Sequence, residues 1–135
     1  MLAPDGLGKP AMTSRQFRTI QIPGGSQALS RIERAALVID GLRTEIFRPT
    51  LLGALLLKAR ALPIHSRPED QREDLVQLLS LVTDPRAIAS TMAATERRWL
   101  RAVEDQLDLS NQDLDTRVEP AALMVARAAY SRLIA

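Results

Sequence analysis

The spacing of apolar residues changes once along this chain, near Phe47. Upstream it alternates in part, as on a pleated strand; downstream it recurs every three or four residues, as on a helix. Phe17 to Ile22 (FRTIQI) is rich in β-formers and predicts a strand. Pro23-Gly24-Gly25 ends it, because proline cannot join a ladder and glycine admits positive φ. Ser26 to Ile32 fits a short helix and an extended segment equally. Ala35 to Ile39 and Thr44 to Phe47 read as strands around Asp40-Gly41, a favoured hairpin dipeptide. The loop there is two residues or longer. Residues 1–14 hold two prolines, two glycines and no apolar period, and read as a loop or a severed end.

Beyond Phe47 the helical period persists. Thr50 is an N-cap candidate for a first helix. Leu51, Leu55, Ala59 and Leu62 share one face, with Leu52 and Leu56 beside it; Arg60 points elsewhere and Pro63 stops the helix. Ser66 and Glu69 have the spacing of a capping box, with Pro68 in the first turn. The acids Glu69, Asp70, Glu73 and Asp74 suit the positive end of a helix whose buried stripe is Leu75, Leu78, Leu79 and Val82. Asp84-Pro85 opens a short helix to about Met92. Ala94 to Leu107 predicts another, with Leu100, Val103 and Leu107 inward and Trp99 beside them. Ser110 to Arg117 is polar and irregular. Glu119-Pro120 opens the last helix, which presents Leu123, Ala126, Tyr130, Leu133 and Ile134. The expectation is an α+β single domain: a small antiparallel strand unit over residues 15–48, then four or five helices over residues 49–135.

Composition narrows the chemistry. The 135 residues suit one domain with a real core, 46% hydrophobic and poor in aromatics. Without cysteine there are no disulfides or thiolate metal sites, and one histidine makes no His-based metal centre. No stretch approaches a membrane span, and MLAPDGLGKP lacks the pattern of a signal peptide, so a cytoplasmic protein without a membrane partner is expected. Sixteen of the eighteen basic residues are arginine. They are spread along the chain, so direct nucleic-acid binding is not expected; Arg97, Arg98 and Arg101 read as a solvated helix face.

Against that arginine background Lys58 stands out. Lysine is a compact point charge, arginine a planar fork. Lys58 lies three residues after Leu55, beside the buried stripe of the first helix. Asp74 lies one turn before Leu78, where it borders the stripe of the next. Two readings follow. The pair is a half-buried ion pair that locks two helices, the commoner use of such charges. Alternatively, Lys58 binds a phosphate and Asp74 keeps it ionised.

The run PTLLGALLLKARAL, the turn with His65 and Arg67, and REDLVQLL resemble the C-terminal half of AbiEii-type nucleotidyltransferases. That family includes the toxins of type IV toxin–antitoxin systems. The resemblance covers roughly residues 15–82, with the PGGSQAL stretch fitting as well, and the helical tail only loosely. It implies a nucleotide-binding role for Lys58 and a catalytic role for Asp74. It further implies Mg²⁺ and a nucleoside triphosphate as cofactors of an intact member, and an antitoxin or a separate N-terminal half as partner.

The chain departs from that pattern at the metal ligands. The family's centre uses Gly-Ser followed by Asp-x-Asp, because Mg²⁺ between phosphates needs converging carboxylates. Here Gly24-Gly25-Ser26 is followed by a single acid, Asp40, which a hairpin turn explains better. No residue is assigned to a metal, and no cofactor to this chain alone. The opening MLAPDG resembles the segment after the family's last catalytic strand, so the N-terminal catalytic half is expected to be missing. Two functions stand: the nucleotide-facing C-terminal part of a nucleotidyltransferase-like protein, inactive alone, or a non-catalytic helical protein-interaction module.

Overall fold

Two separate strand pairs accompany a bundle of helices in the computed structural model, which describes residues 2–4, 20–22, 25–110 and 117–135. β1 (Leu2–Pro4) and β2 (Ile20–Ile22) pair in parallel. β1 falls in the expected loop over residues 1–14. Its three residues carry no period that could announce a strand, and it forms only because β2 supplies a partner. Of the expected strand from Phe17 to Ile22, the described part is β2; residues 17–19 lie outside the described residues. Helix α1 (Gly25–Ser30) resolves the ambiguity of Ser26–Ile32 in favour of a helix followed by a strand start.

β3 (Ile32–Ile39) and β4 (Leu42–Pro49) form an antiparallel hairpin that is a two-stranded sheet by itself. The antiparallel unit thus begins later than residue 15. Each strand is longer than its apolar run suggests, because Glu33, Arg34 and Arg48 extend the ladder to the root. The loop is the two residues Asp40-Gly41, with φ of 51° and 80°. Positive φ at both central positions is the primed turn that matches the twist of two strands, and Asp-Gly adopts it at low cost.

The helices follow: α2 (Leu51–Ala61), a 3₁₀ turn (Leu62–Ile64), α3 (Pro68–Ser80), α4 (Pro85–Thr91), α5 (Ala94–Arg101), α6 (Glu104–Leu107) and α7 (Pro120–Ile134). Together with the hairpin they make the α+β architecture expected. Thr50 caps α2, accepting from the Gly53 amide at 3.2 Å, and Asp84 caps α4, accepting from Arg86 and Ala87 at 3.0 Å. The expected capping box of Ser66 and Glu69 does not form. Pro68 is the first residue of α3, so Arg67 holds the cap position and Ser66 falls one residue too early. Arg67 instead donates its amide to His65 Nδ1 at 3.1 Å. The expected helix over Ala94–Leu107 breaks into α5 and α6 around Ala102 and Val103, although Leu100, Val103 and Leu107 are buried as expected. Of the polar stretch Ser110–Arg117, residues 111–116 lie outside the described residues.

α2 is the central helix. It packs against α1, α3 and α5, while α3, α4 and α5 all pack on α7. Leu55, Leu56, Ala59 and Leu62 meet Leu75, Val76 and Leu79 of α3 and Leu100 of α5, all buried in one continuous core. Burying one such leucine contributes about 1.5–3 kcal/mol relative to leaving it exposed. On α3 the stripe is shifted from the one expected: Val76 is buried and Leu78 only partly so, because α7 and α2 cover α3 from two sides. At the far end Arg101 Nε donates to the Ile134 carbonyl at 2.7 Å and Arg97 Nη1 to that of Ala135 at 2.5 Å. Two cations thus satisfy the carbonyl end of α7, where the helix dipole favours positive charge. Arg98 and Arg101 are exposed, as a solvated face would have them, and Arg97 and Arg101 serve as structural ties as well.

Candidate functional site

Lys58 and Asp74 meet. Lys58 Nζ lies 2.5 Å from Asp74 Oδ2 and donates to Gln71 Oε1 at 3.2 Å. The α2–α3 turn brings the two helices together, and the positions one turn apart on α3, Gln71 and Asp74, both reach the lysine. The side chains are 30% exposed at Lys58 and 51% at Asp74. The ammonium charge is therefore already balanced by a carboxylate at direct contact, close to water. An incoming phosphate would have to compete with Asp74. What the pair does without a ligand is tie α2 to α3, with the buried Gln71 amide as third member.

The Gly-Ser and lone acid that depart from the family's metal motif fall on other elements. Asp40 holds the first turn position at the tip of the hairpin, as the turn reading expects. Gly25 and Ser26 open α1; Gly24 lies outside the described residues. Among the described residues no group of three or more histidine, cysteine or acidic side chains is arranged to hold a metal ion. An open cleft of about 470 Å³ lies between α6 and α7, lined by Glu104, Asp105, Asp108 and Tyr130. It contains neither Lys58 nor Asp74. Two of its hydroxyls are engaged: that of Tyr130 donates to the Leu100 carbonyl at 2.7 Å, and that of Ser110 to Asp108 at 2.7 Å. Burial, and next the Glu104 and Asp105 carboxylates, push the Tyr130 hydroxyl well above its usual range, so it stays a neutral donor.

Among the described residues the hairpin holds most of the exposed large apolar side chains. Strand alternation sorts its side chains into two faces. On one, the cross-strand pairs from root to tip are Glu33–Arg48, Ala35–Ile46, Leu37–Thr44 and Ile39–Leu42. Beyond the root ion pair (2.9 Å) this face carries no charge. The other face pairs Ile32–Pro49, Arg34–Phe47, Ala36–Glu45 and Val38–Arg43, with a charge at each of the three outer levels. Arg34 lies over the Phe47 ring at 5.6 Å. Leu42 is 75% exposed and Ile39 59% on the uncharged face, and Val38 is 71% exposed on the charged one. A lone two-stranded ribbon is marginal in water. This one is an arm rooted in the helices.

Its root is a clamp that the sequence reading did not single out. Glu96, 1% exposed, accepts from Arg31 Nη2 at 2.7 Å, from Arg31 Nε at 2.8 Å and from the Ala93 amide at 2.8 Å; Gln27 Nε2 donates to it as well. Arg31 also donates to the Thr91 carbonyl at 2.9 Å. Arg31 joins α1 to β3, so α1, the arm and α5 are bound at one carboxylate. Across the root, the Thr50 amide donates to the Arg31 carbonyl at 2.7 Å. A signal for Glu96 existed: it lies one turn before Leu100 on the stripe through Val103 and Leu107, so helical spacing places an acid in the core. Nothing in the spacing pointed to Arg31 as its partner.

No protein-family model, curated protein or solved structure matches this chain. Among the described residues no helix is long and apolar enough to cross a membrane.

Proposed function

We propose that this chain is a non-catalytic protein-interaction module whose contact element is the β3–β4 arm. The observation that supports it is the arm's uncharged face: Ala35, Leu37, Ile39, Leu42, Thr44 and Ile46 stand together, and among the described residues nothing lies over them at the tip. An amphipathic ribbon gains most of its stability by burying its apolar face against another layer. The helical body closes its own core without the arm, so the arm's apolar residues serve a surface outside the body. The test places a photoreactive side chain at Leu42 or, separately, at the adjacent Arg43, which faces the other way. Protein adducts from position 42 and few from position 43 are expected. Equal labelling from both, or none from either, overturns the reading.

A second proposal rests on the contact between Lys58 and Asp74. They join α2 to α3 in the order that a resemblance to AbiEii-type nucleotidyltransferases requires, so a nucleotide-facing role in a larger assembly is compatible with their placement. On this reading the metal ligands, Mg²⁺ and the triphosphate's other contacts come from another chain or segment. Binding of a nucleoside triphosphate that depends on Lys58 would support it.

A further inference from the structure

We infer that the uncharged face of the arm packs against the same face of a second copy of this chain. This rests on the reading of the arm as the contact element and names its partner. The face matches itself across a symmetry axis. At each level the uncharged face pairs unlike groups: acid with base (Glu33–Arg48), small with large (Ala35–Ile46), large with small (Leu37–Thr44), and two branched aliphatics at the tip (Ile39–Leu42). A twofold axis running along the hairpin, between two stacked ribbons, lays β3 of one copy over β4 of the other at the same level. Each residue then meets the type that already stands beside it. Ile46 of one copy drops over Ala35 of the other, Leu37 over Thr44, and each Glu33 faces an Arg48. Large residues enter hollows left by small ones, which is how stacked sheets interdigitate. The root charges alternate in sign around a square, so none is buried against its like.

The opposite face fails the same operation. It would press Arg43 onto Val38, burying a charge against an apolar group, and would carry the exposed Arg34–Glu45 ion pair (3.9 Å) into the contact beside Phe47 and Ala36. Self-complementarity therefore belongs to the uncharged face alone, and a second copy satisfies it with no other sequence required. The contact is small. Eight-residue strands make a ribbon about 25 Å long and ~10 Å wide, well short of the ~800 Å² per partner of a standard complex. The dimer is accordingly reversible, in exchange with monomer at micromolar to millimolar concentration.

Sedimentation equilibrium of the full chain over that range tests it, with circular dichroism confirming that every variant keeps its helices. The wild type is expected to show monomer and dimer. Ile39→Glu should weaken the dimer by at least about tenfold, while Val38→Glu, on the more charged face, should leave it unchanged. The chain has no cysteine, so single cysteines report the axis. A thiol–thiol crosslinker of about 10 Å span, the spacing of stacked sheets, should join Leu37→Cys to Thr44→Cys chains in a mixture in preference to either chain with itself. A monomeric wild type overturns the inference and leaves the arm reading to the photoreactive test. A dimer sensitive to Val38→Glu and indifferent to Ile39→Glu overturns it too. So does a monomer whose uncharged face is taken instead by a different protein.

Discussion

Arg31 and Glu96 lie 65 residues apart in sequence and meet in a two-pronged ion pair, Nη2 to Oε2 at 2.7 Å and Nε to Oε1 at 2.8 Å. The carboxylate is buried and the guanidinium partly so. Removing one member leaves the other's charge uncompensated at the junction of α1, β3 and α5. Glu96→Ala is expected to cost about 3–5 kcal/mol, read in urea melts followed by circular dichroism. The double change Arg31→Met with Glu96→Leu should recover most of that loss, because neither charge then remains unpaired.

The same carboxylate gives the fold a pH dependence of known sign. Burial alone raises the Glu96 pKa, but hydrogen bonds from Arg31 and the Ala93 amide, the Arg31 charge and the Gln27 hydrogen bond outweigh it, and the net shift is downward from 4.5. A carboxyl whose folded pKa is depressed adds stability above its unfolded value and loses it as pH falls through the folded one. Below pH 4.5 the melting temperature of the wild type should fall more steeply than that of Glu96→Gln, which has no proton to take up at that position. Parallel curves would mean that the site does not titrate differently on folding.

Lys58 and Asp74 call for a smaller number. Their bond is direct but faces water, and exposed ion pairs are worth only about 0.2–1 kcal/mol. Asp74→Asn should fall within that range in thermal melts. Lys58→Met should cost somewhat more, because the buried Gln71 carbonyl oxygen loses its donor. The chain alone, incubated with labelled nucleoside triphosphate, Mg²⁺ and tRNA, should transfer no label. Transfer that disappears in Asp40→Asn would make the hairpin turn part of an active site.

Gly53 is fixed by close approach. A Cβ added there would stand 2.9 Å from the Arg31 carbonyl oxygen, a backbone atom that cannot swing aside. Gly53→Ala should push α2 from the root of the arm and destabilise the chain by about 1–3 kcal/mol. Urea unfolding measures the loss, and solvent exchange of the Thr50 amide, which bonds to the same carbonyl, reports the local opening. An unchanged midpoint with a protected Thr50 would show that the root relaxes freely.

The helical half was legible because its signals are local. Thr50 and Asp84 cap where a short polar side chain precedes an apolar period, and Asp40-Gly41 forms the turn its φ preferences favour. The errors have local causes as well. Ser66 matched a capping box by spacing, yet Pro68 moved the helix start by one residue. Val76 was missed because α3 is covered from two sides, which widens its buried face beyond one stripe. The partner of Glu96 was out of reach for another reason: its pairing with Arg31 depends on α1 and α5 converging, and nothing within either segment encodes it. The exposure of the arm was hidden in the same way. Alternation announces a face to be covered and does not say whether the same chain covers it.

The rooted arm has a mechanical consequence. Its tip, the Asp40-Gly41 turn, stands about 25 Å beyond the clamp, at 3.4 Å per strand residue. The ribbon is a lever, and Arg31 with Glu96 is its pivot. A tilt of about 5° at the pivot displaces the tip by roughly 2 Å over that length, as much as the whole tolerance of a packed apolar contact. The carboxylate buried among α1, β3 and α5 therefore sets where Ile39 and Leu42 stand in space, though it touches neither. A load applied at the tip would reach the helices at two places, that carboxylate and Thr50, which leads from β4 into α2.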